Sequence, residues 1–206
     1  MLIPLLQSGL QIDGIDFSSE MLEICKKNCS QMNVHSDLYT MKMEELNLDK
    51  TYNSMFIPFG SFQLISDRTL AREALLRFRK HMNKNGELFI PLFLPFDEFK
   101  DANKWQMLGQ VQEKDGSLII LHGCSTFRYN EQRQDNWNRY EKWKDGKIVA
   151  TELENMSMRW YGRYEFESLL QETGFEIVSV DGDYSDSPLS DSHSMMCFRA
   201  LTSSPT

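Results

Sequence analysis

Residues 14–22 read Gly14-Ile15-Asp16-Phe17-Ser18-Ser19-Glu20-Met21-Leu22. With Gln11, Ile12 and Asp13 before them, they make a short β-branched run that ends in an acid. Ser18 is placed to cap a helix, and Glu20 falls in the first turn, where the helix dipole favours an anion. Met21, Leu22, Cys25, Cys29 and Met32 then recur at the spacing of one apolar helical stripe. A strand that delivers a carboxylate to its carboxyl end and passes straight into a helix belongs to an open α/β sheet. There an acid can accept hydrogen bonds from both hydroxyls of a ribose. Turn chemistry is the plainer role for an Asp at a strand end, and the Ser-Ser-Glu-Met-Leu helix start is what adds specificity.

The neighbouring segments extend the pattern. Met1 to Ser8 reads as a short apolar helix stopped by Gly9. Leu38–Met43 and Ser54–Phe59 read as strands, and Arg72–Met82 as a helix with Leu75, Leu76 and Phe78 toward the core and Asn85-Gly86 closing it. Glu87–Leu94 is a nearly unbroken apolar run, as in a strand buried on both faces. Beyond residue 100 the character changes. All four tryptophans (Trp105, Trp137, Trp143, Trp160) lie there, and Asp115-Gly116 and Asp145-Gly146 mark hairpin turns. Residues 105–160 thus predict an antiparallel meander laid over the sheet. Tyr164–Glu172 returns to helix with Gly174 after it, and Phe175–Val180 and Ser194–Ala200 form a last antiparallel pair. The acidic stretch from Asp181 to Asp191 between them reads as a mobile loop.

Composition narrows the function classes. The 206 residues are 41% hydrophobic and 25% charged, the profile of a globular domain. A net charge of −8 disfavours nucleic acid and anionic membranes as partners. The longest apolar run, from Leu88 to Phe96, is about half of the ~20 residues a spanning helix needs. No basic n-region opens the chain, so the cytoplasm is the expected location. Cys25 and Cys29 lie one helical turn apart, but no second pair completes a metal set, and no metal is expected. A Gly-x-Ser-x-Gly elbow, which a serine hydrolase would need, is missing.

Several of these segments together resemble the class I S-adenosylmethionine-dependent methyltransferases, in the branch that acts on small molecules. The resemblance rests first on residues 14–22, which match that family's second strand and following helix. It continues through Leu38–Leu46, the Tyr52–Ile65 strand and its loop, the Asn85–Ile90 turn, and Arg159-Trp160-Tyr161 on to Gly174-Phe175. It implies a Rossmann-like sheet with an antiparallel lid, and S-adenosyl-L-methionine as cofactor. By the same resemblance Asp16 would hold the ribose diol, with Phe17 and Met21 flanking the adenine. Lys42, Met43 and Glu44 would meet the adenine edge. Lys42 stands where the family often places an Asp, and Glu44 is the nearest substitute acceptor. Pro58, Phe59 and Gly60 would line the methionine end, and Phe62, Trp160 and Tyr161 the acceptor. His122 and Tyr161 are the candidate catalytic groups.

One part of the family pattern has no counterpart. Its first strand and Gly-x-Gly loop would precede Met1, and no Gly-x-Gly occurs before residue 60. The chain accordingly reads as a sheet truncated at its N-terminus, with two strand edges left open or forced to pair directly. The expected organisation is a cofactor core over 1–100, an antiparallel insertion over 101–162, and a closing helix and strands over 163–206. The expected activity is methyl transfer to a small-molecule acceptor. A catalytically inactive methyltransferase-like partner protein is the alternative, and a nicotinamide-dependent fragment a third possibility. Open edges would also favour a homodimer.

Overall fold

The structure, a computed structural model, describes residues 2–94 and 102–203. The elements run α1 (Leu2–Gln7), β1 (Gly14–Asp16), α2 (Ser19–Gln31), β2 (Leu38–Thr40), β3 (Tyr52–Phe56), α3 (Arg68–Lys80) and β4 (Met82–Phe93). They continue with β5 (Gln106–Gln112), β6 (Leu118–Arg128), β7 (Arg133–Lys144), β8 (Lys147–Arg159), α4 (Arg163–Glu172), β9 (Phe175–Gly182) and β10 (Met195–Thr202). The expected boundary at residues 100 and 101 lies outside the described residues.

Three sheets result. β1 pairs in parallel with β2, the order β3-β4-β10-β9 makes a mixed sheet, and β5-β6-β7-β8 is an antiparallel meander. In the mixed sheet β3 and β4 run parallel, whereas β10 is antiparallel to both of its neighbours. Leu88, Ile90 and Leu92 of β4 point into the core. They meet Ala71, Ala74, Leu75 and Phe78 of α3, Phe166 and Leu170 of α4, and Phe198 and Ala200 of β10. Phe166 sits edge-on to both Phe62 and Phe198, at 5.4 and 4.8 Å between ring centroids.

β1 and β3 do not pair with each other, so each presents an open edge among the described residues. Side chains stitch them at their starts instead. The Tyr52 hydroxyl donates to Asp13 Oδ2 at 2.8 Å, and Lys50 Nζ reaches Asp13 and Asp37 at 3.0 and 2.6 Å. Burial and the Asp13 carboxylate together hold the Tyr52 phenol protonated, well above its ordinary range. Both strands therefore start at the same side, and their carboxyl ends share the opposite edge.

Three local expectations need correction. α3 ends at Lys80, and Asn85-Gly86 does not close it but lies inside β4, where Asn85 takes φ 58°. The register slips there, from Tyr52 opposite Met82 to Ser54 opposite Glu87, so the pair acts as a bulge. His81, inside the stretch read as the Arg72–Met82 helix, lies past the helix end and is 2% exposed. It follows the last turn of α3, with Nδ1 on Arg77 O at 2.7 Å and Nε2 accepting from Leu48 N at 2.9 Å. The Asp181–Asp191 stretch, read as a mobile loop, begins inside β9 and is tied down by hydrogen bonds, Gly182 N to Ser187 O and Leu189 N to Val180 O among them. Asp183 Oδ1 alone accepts from Ser194 N, Ser194 Oγ and Met195 N.

Candidate active site

The shared carboxyl edge of β1, β3 and β4 gathers most of the residues singled out from the sequence. Asp16 ends β1, and its Oδ1 accepts from Ser18 N at 2.9 Å. Ser18 Oγ in turn accepts from Met21 N, capping α2. Asp16 thus serves the turn with one oxygen, and its Oδ2 has no hydrogen-bond partner among the described residues. Phe17 and Met21 follow at 70% and 57% exposure, far outside what a packed core would leave.

Across the gap, Pro58-Phe59-Gly60 turns the chain out of β3. Phe59 and Gly60 both take left-handed backbone, at φ 57° and 67°. At Gly60 a Cβ would stand 2.5 Å from the Phe93 ring, so no larger residue fits. Phe59 points outward at 61% exposure. Next to β2, Lys42 pairs with Glu45 at 3.7 Å, while Met43 and Glu44 form the half-buried start of a 3-10 turn. Phe62, expected beside the acceptor, is fully buried in the aromatic core.

The candidates from the second half of the chain stand elsewhere. His122 is mid-strand on β6, opposite Met107 and Arg139, with a buried Nδ1 that has no hydrogen-bond partner. Tyr161 is 3% exposed, its ring 5.1 Å from Phe166 and 6.0 Å from Phe62. Burial pushes its phenol well above the ordinary value, so it stays a neutral donor. Its hydroxyl has no partner, and the side chain lines a pocket with Arg68, Glu165 and Ser168 between α3 and α4. Trp160 lies tilted against Phe127 and edge-on to Tyr129 at the root of the meander. Among the described residues no cluster of His, Cys, Asp or Glu is arranged for a metal, and the four cysteines are free. No helix among them is long and apolar enough to cross a membrane.

Two residues at this edge escaped the sequence reading. Gln63, 2% exposed, donates to Phe93 O and Arg159 O and accepts from Phe93 N at 2.6 Å. It joins the end of β4 to the end of β8. Tyr184 reaches from the loop after β9 to accept a hydrogen bond from Phe59 N.

Comparison with known proteins agrees with this geometry. The methyltransferase domain family matches residues 1–86. YqeM of Bacillus subtilis (strain 168), a protein provisionally named a methyltransferase, is 25% identical over 98% of this chain and 79% of its own length. A solved S-adenosylmethionine-dependent methyltransferase from Clostridium acetobutylicum ATCC 824 superposes with a TM-score of 0.84. It is 13% identical, over 97% of this chain and 78% of that one. CalS10, an amino pentose methyltransferase from Micromonospora echinaspora solved with S-adenosylmethionine bound, gives 0.69 at 16% identity, over 94% and 74%. The chain has the fold of the class I S-adenosylmethionine-dependent methyltransferases, and its first 86 residues match the methyltransferase domain family.

Proposed function

We propose that the chain transfers the cofactor's methyl group to a small-molecule acceptor held between the carboxyl edge of the β3–β4 sheet and the meander. The observation that carries this reading is Asp16: a carboxylate at a strand end, one oxygen spent on the turn and the other open, beside exposed Phe17 and Met21. Those groups fit the ribose and base of S-adenosylmethionine. When bound, the cofactor supplies an electrophilic methyl on a sulfonium. The chain's own residues then bind and orient. Asp16 takes the ribose hydroxyls, Phe17 and Met21 enclose the base, and Met43 and Glu44 meet its edge, with Lys42 beside them. Phe59 and Gly60 close the side nearest the acceptor.

The amino pentose activity of CalS10 makes a polar, ring-sized acceptor the natural class to screen. His122 and the Trp160–Tyr161 segment are the groups to test on the acceptor side, within an insertion over 101–162. The net charge favours a small molecule over nucleic acid, and the cytoplasm is the fitting compartment.

Calorimetric titration with S-adenosylhomocysteine, with NADH as control, tests the cofactor site. Asp16→Asn keeps the acceptor for Ser18 N and removes the charge. It is expected to weaken binding about ten- to a hundredfold, the value of a charge-assisted hydrogen bond. Equal affinity in the variant would remove Asp16 from the site. The open edges of β1 and β3 favour a second reading, a non-catalytic partner protein, and a folded chain that binds no S-adenosylhomocysteine would select it.

A further inference from the structure

The strands β9 and β10 are joined by residues 183–194, far in sequence from every residue assigned to the cofactor. This connection lies at the same edge of the sheet, because β10 begins opposite the end of β4, with Met195 facing Phe93. Its first two residues, Asp183 and Tyr184, are left-handed at φ 49° and 57°. For a bulky tyrosine that conformation is a true outlier. Strain of this kind persists only where the surroundings over-determine it.

Here they do. Asp183 Oδ1 takes three hydrogen bonds from Ser194 and Met195. Tyr184 N donates to Cys197 Sγ, and the Tyr184 ring lies 6.0 Å from that of Phe89 on β4. All of this aims one group. The Tyr184 hydroxyl meets Phe59 N at 3.0 Å, across 125 residues of sequence. The residue it meets is the first of the other left-handed pair, Phe59-Gly60. The backbone hydrogen bonds of that turn, Ser61 N to Pro58 O and Gln63 N to Gly60 O, are internal to it, and the Gln63 side chain ties its far end to Phe93. Ile57 N bonds Phe89 O before the turn, and Tyr184 supplies the bond at the Phe59 peptide itself. As an acceptor in that bond, its hydroxyl still has a proton to offer.

We infer that Tyr184 is a positioning residue, which holds the Phe59-Gly60 turn in the orientation that forms one wall of the cofactor and acceptor site. The inference rests on the methyltransferase reading for the ligand, and on this geometry alone for the latch. Phe59 keeps its ring outward at 61% exposure because its backbone is held, not because its side chain is packed. Losing the latch leaves the turn free to rotate and the wall ill-defined.

Tyr184→Phe keeps the ring against Phe89 and removes only the hydroxyl. Tyr164→Phe, on the exposed face of α4, is the control. Two quantities are read in each protein: the exchange rate of the Phe59 amide by NMR, and the affinity for S-adenosylhomocysteine by calorimetry. In Tyr184→Phe the Phe59 amide is expected to exchange about tenfold faster and the affinity to fall about three- to tenfold, the range of one net hydrogen bond. The thermal midpoint should stay within about 2 °C, since the site is exposed. The control should match the wild type in all three. Unchanged exchange at Phe59 overturns the latch, and unchanged affinity with faster exchange overturns its role in the site. If the folded wild type binds no S-adenosylhomocysteine, the cofactor reading fails, and the exchange rate by itself still decides whether Tyr184 holds the turn.

Discussion

Two antiparallel hairpins of this chain fold by the same backbone rules and end in opposite environments. In β9–β10 the second strand reads Met-Met-Cys-Phe-Arg-Ala-Leu-Thr, and six of those eight residues are buried between β4 and β9. In β7–β8 the second strand runs from Lys147 to Arg159, and residues 147–155 are all exposed. Within the four strands of the meander only Gly123, Gln134 and Arg159 are buried. The first hairpin derives its stability from side chains on both faces. The second holds together through its ladder, the Asp145-Gly146 turn with both residues left-handed, and surface ion pairs. Buried core and exposed cover are therefore separate parts of one chain, joined where Arg159 donates to Ser66 O and accepts from Gln63.

The largest effects should fall on the core side of that divide. Phe166→Ala removes a fully buried ring from between Phe62, Tyr161 and Phe198, and should cost about 3–5 kcal/mol in urea unfolding followed by circular dichroism. Leu153→Ala on β8, where the side chain is 59% exposed, should stay within about 0.5 kcal/mol. A large loss at Leu153 would break the comparison. It would mean that the meander is covered in solution, and a midpoint that rises with protein concentration would then identify the cover as a second copy.

The joint between the regions comes next. Gln63→Leu keeps much of the volume but strands Phe93 N, Phe93 O and Arg159 O. It should cost about 2–3 kcal/mol. Because every tryptophan lies between residues 105 and 160, fluorescence reports the cover while circular dichroism weighs the helices. In the wild type the two transitions should coincide, and in Gln63→Leu the fluorescence transition should come first. Coincidence in both would show that the joint lies elsewhere.

What could be read from the sequence follows the same division between local and distant causes. Ser18 capping α2, the Asp-Gly hairpin turns and the apolar run of β4 are written in residues next to one another, and they stand as expected. Asn85-Gly86 misled because the pair signals a left-handed residue, and a bulge uses one as readily as a helix end does. His81 reads as a polar helix terminus until Leu48 N, 33 residues earlier, supplies its partner. Gln63 and Tyr184 are likewise ordinary polar residues of loops, given their roles by contacts 96 and 125 residues away. Asp16 could be placed at its strand end because its turn partner Ser18 is local, whereas the bond that Tyr184 makes to Phe59 could not be read.

The smallest expected effect bears on how the cover holds itself together. On β7, Asp135 is 13% exposed in its side chain and accepts from Ser157 Oγ at 2.6 Å, Arg128 Nε at 3.0 Å and Arg133 Nε at 3.1 Å. Burial pushes its carboxyl up, but the Ser157 hydroxyl and the two guanidinium groups outweigh that and leave it below the ordinary value. The folded chain therefore binds this proton less readily than the unfolded one. The stabilisation is complete above about pH 4, where the unfolded carboxyl is ionised, and is lost as pH falls through the depressed folded value. Ser157→Ala removes one of the stabilising bonds. It should lower the stability read by tryptophan fluorescence by about 1 kcal/mol at pH 7, with the gap from wild type closing below about pH 4. A gap that keeps its size down to low pH would mean that Ser157 acts through packing against its neighbours and not through the Asp135 carboxylate, and the cover would then owe less to its charges than the core hairpin owes to its methyl groups.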